Sequence, residues 1–392
     1  MKNKKILYAV IAAANVLSLM GTLIISIAGS SLAKSQSYNN ASEKWDSDGS
    51  CTQISCFFAE DAGVTVDNIG GAKASMLTAL KNISIVPEEN QKLIPEAYST
   101  SAGQVTIKSD TTKGRSNAEI IAVGGDFFLF RDFDFIDGSY FTDSDIMQDG
   151  AVIDRNLAWA LYGSDNISGK NIYIDDTKFY IAGVIDIPQT KYEKKTAGEL
   201  PVAYVSYGGA NLLDSSSSSM MFKAGMDGDS MGDGFMPADT GLKKITCYEC
   251  IMPDPVENYA YNTVDSYFKS SCENKYNIVN NSERFKPSVR AKAFKNLSDY
   301  AVISNSVIYP YWENASRIVE FKLTSMYFYR RLTYIIPVLT ALWLLVILWR
   351  TAGWARRRLT EWTGDRITRV IYNHNEKQRL KKENIKSKES SL

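Results

Sequence analysis

Residues 118–186, AEIIAVGGDFFLFRDFDFIDGSYFTDSDIMQDGAVIDRNLAWALYGSDNISGKNIYIDDTKFYIAGVID, decide how the chain is read. Residues 120–123 have the apolar density of a strand, and an aromatic group follows at Phe127, Phe128, Phe130, Phe133 and Phe135. Asp137-Gly138 marks a turn ahead of Tyr140 and Phe141. Residues 151–154 predict a short buried strand, and 155–162 a short helix that Gly163 closes as its C-terminal cap. Residues 171–174 and 178–184 alternate as the two arms of a β-hairpin around the polar turn Asp175-Asp176-Thr177.

Upstream of this stretch, residues 30–50 are polar and read as a mobile connection or as the frayed end of a stalk helix. Residues 64–69 alternate as a strand, and 70–83 place Met76, Leu77 and Leu80 at helical spacing. A further strand is expected around 105–108. Downstream, 201–207 and 243–253 read as strands, 255–270 as a helix and 214–239 as a surface loop with a five-serine run. This order of helices, strands and a hairpin defines an α+β or α/β domain rather than an all-β module.

Residues 6–29 carry no charge and are long enough to span, since roughly 20 apolar residues cross a bilayer. Lys2, Lys4 and Lys5 precede them, as in both an anchor and a cleaved signal; the length of the apolar run favours a retained anchor. A second span covers 332–349, where Pro337 predicts a kink whose freed backbone groups neighbours must satisfy. Arg350, Arg356, Arg357 and Arg358 follow it. The positive-inside rule then puts both termini in the cytoplasm, against the weaker vote of Arg330 and Arg331. The expected layout is 1–5 cytoplasmic, 6–29 spanning, 30–310 an extracytoplasmic domain, 311–331 a stalk helix, 332–349 spanning and 350–392 a basic cytoplasmic tail. Within the stalk, Ile318, Phe321 and Leu323 recur at near-helical spacing, and nothing breaks the helix before the span. The tail reads as a solvated amphipathic helix beside anionic lipid headgroups, or as a contact for a cytoplasmic ATPase.

Lys and Arg number 44, Asp and Glu 44, so no global field points to nucleic acid. The only histidine, His374, falls in the tail, which removes Ser-His-Asp, Cys-His and His-ligated zinc chemistry from the outer domain. Residues 163–171 imitate a phosphate-binding loop, but their glycines are one residue too far apart and Asn171 stands where Ser or Thr would hold magnesium. Cys247 and Cys250 form a C-x-x-C on a strand, where residues three apart face opposite ways, so a redox pair is not expected. Separate packing of the two, or a disulfide from either to Cys272, is the better reading. Cys51 and Cys56 are the expected disulfide in an oxidising compartment. Asp227, Asp229 and Asp233 offer oxygen ligands for calcium without completing an EF-hand. The aromatic group with Tyr140 and Phe141 has two uses, core packing or the lining of an apolar groove. No catalytic, cofactor or metal site is assigned.

The 118–186 stretch resembles the core of the MacB-like periplasmic domain, found in ABC-transporter permeases that include the macrolide exporter and its lipoprotein-releasing relatives. The resemblance rests on six small motifs in order: Gly138 with Phe141; Asp143 and Asp145; Ala151-Val152-Ile153-Asp154; Leu161-Tyr162-Gly163; Gly169-Lys170-Asn171-Ile172; and Ile181-Ala182-Gly183-Val184-Ile185. It implies a MacB-like core flanked by two membrane helices, joined to them by helical stalks. It also implies a non-catalytic role in mechanotransmission, driven by a cytoplasmic ABC ATPase. Family permeases carry three membrane helices after the outer domain, and this chain shows one, so another permease chain or a homo-oligomer is an expected partner. FtsX-like relatives imply an alternative, an envelope scaffold whose outer domain binds a protein such as a cell-wall hydrolase.

Overall fold

The computed structural model describes residues 2–36, 40–87, 92–111, 113–131, 133–187, 190–211, 213, 244–273, 275–295 and 306–389. The serine run and Asp227, Asp229 and Asp233 lie outside the described residues. The chain divides into two compact units, one of residues 27–328 and one of residues 1–26 with 329–392.

The larger unit is built on a ten-stranded mixed sheet. In chain order its strands are β1 (Cys51–Phe58), β2 (Glu96–Ser109), β3 (Arg115–Gly125), β4 (Asp134–Gly138) and β5 (Gly150–Asp154), then β6 (Asn171–Ile174), β7 (Thr177–Asp186), β8 (Val202–Ser206), β9 (Cys247–Pro253) and β10 (Tyr276–Asn280). They lie in the order β10-β1-β9-β2-β3-β8-β5-β7-β4, with β6 pairing both β7 and β2. The ladder β2-β3-β8-β5-β7-β6 therefore returns to β2 as a closed ring, and β3–β8 and β5–β7 are its two parallel pairs. Closure removes free edges over that part of the sheet.

The sheet is buried on both faces, so its central strands read as nearly continuous apolar runs. On β3, Ala118, Ile120 and Ala122 enter one core while Ile121 and Val123 enter the other. The first core is covered by helices α3 (Val66–Asn82) and α4 (Arg155–Tyr162) and by the helix Tyr259–Ser271. The second holds Phe127, Phe130, Phe141, Tyr204 and Trp312.

Local chemistry explains most elements. Asp154 ends β5 and caps α4: its Oδ1 accepts from the Leu157 N–H at 2.7 Å and its Oδ2 from the Val202 N–H at 2.9 Å, binding helix, β5 and β8 at one side chain. Burial raises its pKa, and those backbone bonds offset the rise only in part. Gly163 takes φ +66° and ends α4 as expected. The β6–β7 hairpin forms with Ile174 opposite Thr177, so its turn is the two residues Asp175-Asp176, with Asp175 left-handed at φ +47°.

Three expectations are corrected. Residues 64–69 are not a strand: Thr65 and Asn68 form a capping box that starts α3 at Val66, and the reciprocal bonds of the box outweigh a short apolar alternation. Residues 30–50 are not a mobile connection: helix α1 (Lys2–Lys34) ends within them, as the helix-end reading has it, and α2 (Ala41–Trp45) buries Ala41. The Cys51–Cys56 disulfide does not form, and all five cysteines are free thiols. Both residues lie on β1, where five steps of about 3.3 Å separate them far beyond the roughly 7 Å a disulfide can bridge.

In the smaller unit, α1 faces helices that meet at Tyr334, where the helix Tyr311–Thr333 ends and Ile335–Glu389 begins. Two helices, within Lys5–Lys34 and Tyr311–Lys377, are long and apolar enough to cross a membrane.

Replacing Asp154 by Ala should cost about 1–2 kcal/mol of domain stability through the lost cap, with Asp154→Asn losing less. Denaturant unfolding of the two variants against the parent checks this.

Candidate functional site: a buried charge cluster on the stalk helix

For the later helices we label Glu193–Thr196 α5, Tyr259–Ser271 α6, Asn281–Arg284 α7, Pro287–Ala293 α8, Tyr311–Thr333 α9 and Ile335–Glu389 α10. Helix α9 buries Trp312, Ala315, Ser316, Val319, Leu323 and Tyr327 along one stripe. Ile318 and Phe321, expected on that stripe, are instead 38% and 43% exposed. The stripe also contains Glu313 and Glu320, seven residues apart and therefore on one face.

These two carboxylates meet a run of buried charges. Arg284 of α7 holds Glu313 bidentately, both bonds at 2.8 Å, and reaches Glu320 Oε2 at 3.1 Å. Arg290 of α8 pairs with Glu320 Oε1 at 3.0 Å. Arg284 also donates to Asn281 Oδ1 at 3.0 Å; Asn281 Nδ2 donates to Ser55 Oγ at 2.6 Å, and Ser55 Oγ to Glu249 Oε1 at 3.1 Å. Glu249 finally pairs with Arg131. The Arg131 guanidinium lies 4.6 Å from the Phe127 ring centre and 4.3 Å from that of Trp312, which returns the chain of contacts to α9.

Three arginines and three glutamates, all at least nine-tenths buried, thus balance to zero charge. Burial would lower the pKa of Arg284 and Arg131, but the facing carboxylates override it and hold both guanidinium groups firmly protonated. Burial raises the Glu313 carboxyl above its ordinary range, and the attraction of Arg284 offsets only part of that rise. Such a cluster adds little net stability over an apolar equivalent, yet breaking one pair is costly. Its effect is to fix which rotation and register α9 adopts. Tyr311 adds two ties at the start of the helix, its hydroxyl 3.0 Å from that of Tyr204 and its carbonyl accepting from Thr196 Oγ1 at 3.0 Å.

None of these residues was singled out from sequence. Glu249 sits between the two cysteines of the C-x-x-C in a strand whose other residues are apolar, and that isolated charge is the signal that was available. Cys247 and Cys250 do face opposite cores, and burial pushes both thiols upward, away from reactivity. The phosphate-loop imitation is the connection between α4 and β6, with Lys170 Nζ 4.8 Å from the Tyr162 ring centre.

The aromatic group divides between the two uses open to it. Phe127, Phe130 and Phe141 are core, and Phe128 and Tyr140, with Phe141 at the floor, line a cleft of about 390 Å³ with Lys92, Asp126 and Asp143.

In the membrane unit, Pro337 lies in the first turn of α10 and has no N–H for the Thr333 carbonyl four residues earlier. Ser18 Oγ of α1 donates to that carbonyl. Thr22 Oγ1 lies 2.7 Å from Thr333 Oγ1, and Thr340 Oγ1 donates to Asn15 Oδ1 at 2.9 Å. Asn15, Ser18 and Thr22 therefore form a polar seam within the uncharged part of the helix.

Sheet, helices and flanking spans define a membrane-anchored protein with a mixed α/β core domain. Residues 38–231 match the family model of the MacB-like periplasmic core domain, so the chain has the MacB-like periplasmic core fold. Among solved structures, the chain is similar to the periplasmic region of MacB from Actinobacillus actinomycetemcomitans at 16% identity and TM-score 0.36, over 59% of this chain and 89% of that one. It is also similar to the extracellular domain of the noncanonic ABC-type transporter YknZ from Gram-positive bacteria, at 14% identity and TM-score 0.35, over 58% and 100%. No curated protein sequence matches the chain. Of the charge cluster, the matched segment supplies Ser55 and Arg131, and the remaining members come from residues 249–320.

Arg284→Met should destabilise the domain by about 3–5 kcal/mol at neutral pH, because it strands buried carboxylates. A carboxyl whose folded pKa is raised keeps its stability contribution below its unfolded pKa and loses it as pH rises through the folded value. The deficit should therefore shrink from pH 8 to pH 5, and Arg284→Met with Glu313→Leu should recover most of it. Urea unfolding at several pH values reads both effects.

Ser18→Ala should cost about 0.6–1.7 kcal/mol of helix association in the membrane. The cost should fall when Pro337→Ala restores a local donor for Thr333. A double-mutant cycle in detergent measures that coupling.

Proposed function

We propose that this protein is a non-catalytic, permease-type subunit whose extracytoplasmic core domain is coupled to a separate cytoplasmic ABC ATPase, with both termini in the cytoplasm and each long apolar helix spanning the membrane. Movement of the membrane helices reaches the core domain through α9. The observation that carries this reading is the fastening of α9 to α7 and α8 by buried ion pairs, which hydrogen bonds through Asn281 and Ser55 extend to β1 and to Glu249 of β9. A helix held only by apolar contacts can slide or rotate over a core at modest cost, whereas moving Glu313 or Glu320 off its arginine exposes an unpaired charge to a dry interior. A displacement of α9 is therefore passed to the sheet rather than dissipated at the helix surface.

The other elements of the reading fit the same role. The Arg-rich start of the tail, 350–369, suits a cytoplasmic face. A second permease chain, or a second copy of this one, would supply further membrane helices.

The test is recovery of partners with tagged full-length chain in gentle detergent, beside a control lacking residues 356–392. An ATPase and a multi-helix permease should co-purify with the full chain and be lost with the tail. Recovery of envelope enzymes alone, unaffected by the truncation, would replace this reading with that of a binding scaffold.

A further inference from the structure

We propose that the aromatic cleft beside β4 is a docking surface for a lysine- or arginine-bearing segment of a partner protein, which seats one aromatic or branched aliphatic side chain between Phe128, Tyr140 and Phe141. Phe128 is the centre of this surface. Its ring lies 5.7 Å from that of Tyr140 in a stacked arrangement, 5.3 Å edge-on from Phe141 and 6.4 Å from Phe135 on β4. The cleft these rings line, of about 390 Å³, holds one large side chain and little more.

The stretch that carries the cleft leaves several apolar side chains exposed, and Phe135 among them lies 6.2 Å from the Tyr140 ring. Tyr140 is 55% exposed, Ile146 96% and Met147 74%, and Phe135 and Ile136 of β4 are each more than a third exposed. Neighbouring apolar side chains left in water on one surface mark an interaction site more often than scattered exposed ones do. Strand β4 pairs with β7 alone among the described strands, with a bulge between Phe135 and Asp137, so this surface lies at the end of the sheet.

Charge selects the occupant. Residues 133–149 contain Asp134, Asp137, Asp143, Asp145 and Asp149 and no lysine, arginine or histidine. The one lysine lining the cleft among the described residues, Lys92, is paired with Asp126. Asp143 lines the cleft, and Asp145 accepts from the N–H of Thr142, another lining residue, at 3.1 Å; carboxylates at the mouth of an aromatic cleft attract a cationic segment and repel anionic lipid, nucleic acid and acidic protein surfaces. A peptide with alternating cationic side chains and one apolar anchor satisfies rim and cleft together. This inference stands apart from ATPase coupling and holds for a transporter subunit or a scaffold alike.

The experiment is fluorescence anisotropy on the full chain in uncharged detergent. The probe is a labelled Lys/Ser peptide with one central Trp, beside the same peptide with Glu for Lys and another with Ser for Trp. The first should bind, and each replacement should weaken it by about tenfold or more, the scale on which anchor residues act. Tyr140→Ser with Ile146→Ser, both at exposed positions, should cause a similar loss, as should Asp145→Asn with Asp149→Asn. Equal binding of the Lys and Glu peptides, or binding unchanged by the Tyr140/Ile146 variant, would overturn the proposal.

Discussion

Arg284 is the residue on which the arrangement of this domain turns. Its planar guanidinium can satisfy one carboxylate with two parallel bonds and a second with another, which a lysine cannot do. It uses that capacity to hold Glu313 and Glu320 of one helix while also bonding Asn281, which leads through Ser55 to the sheet. Because desolvation consumes most of what these pairs return, the cluster contributes orientation more than stability. An apolar stripe such as Val319, Leu323 and Tyr327 would tolerate several rotations of α9, whereas the paired carboxylates tolerate one.

The sheet provides the rigid body to which this helix is fixed. Its ring of six strands closes through short β6, which bridges β7 and the far end of β2. Both faces are covered, so the cluster on the second face sits in a medium dry enough to make charge position matter. The membrane unit uses the same chemistry at smaller scale. A carbonyl freed by Pro337 is met by a serine on the opposing helix, which places a specific polar contact where lipid offers none.

Elements whose signals are local were legible in the sequence. The β5–α4 unit and the β6–β7 hairpin appear as the spacing of apolar residues, Asp154, Gly163 and the Asp175-Asp176 turn require. The six motifs of the 118–186 stretch correctly indicated the domain family, since each encodes a cap, a turn or a buried strand of that core. Residues 64–69 were misread because alternation over six residues also fits a capped helix start, and Thr65 with Asn68 settles the matter. Cysteine arithmetic misled for a related reason: a spacing of five closes a small loop only if the chain turns, and β1 runs straight through it.

By itself the sequence determined the two apolar spans, the mixed α/β class, the absence of histidine chemistry from the outer domain and the place of the core motifs, because those follow from composition and from contacts only a few residues apart. Tertiary structure alone decided that Arg131, Glu249, Arg284, Arg290, Glu313 and Glu320 form one neutral cluster. Apart from Glu249, whose charge stands alone in an apolar strand, each of those residues taken in its own segment reads as an ordinary surface charge. Their meeting depends on contacts between strands and helices as distant in sequence as Asn281 with Ser55, 226 residues apart, which no local periodicity records.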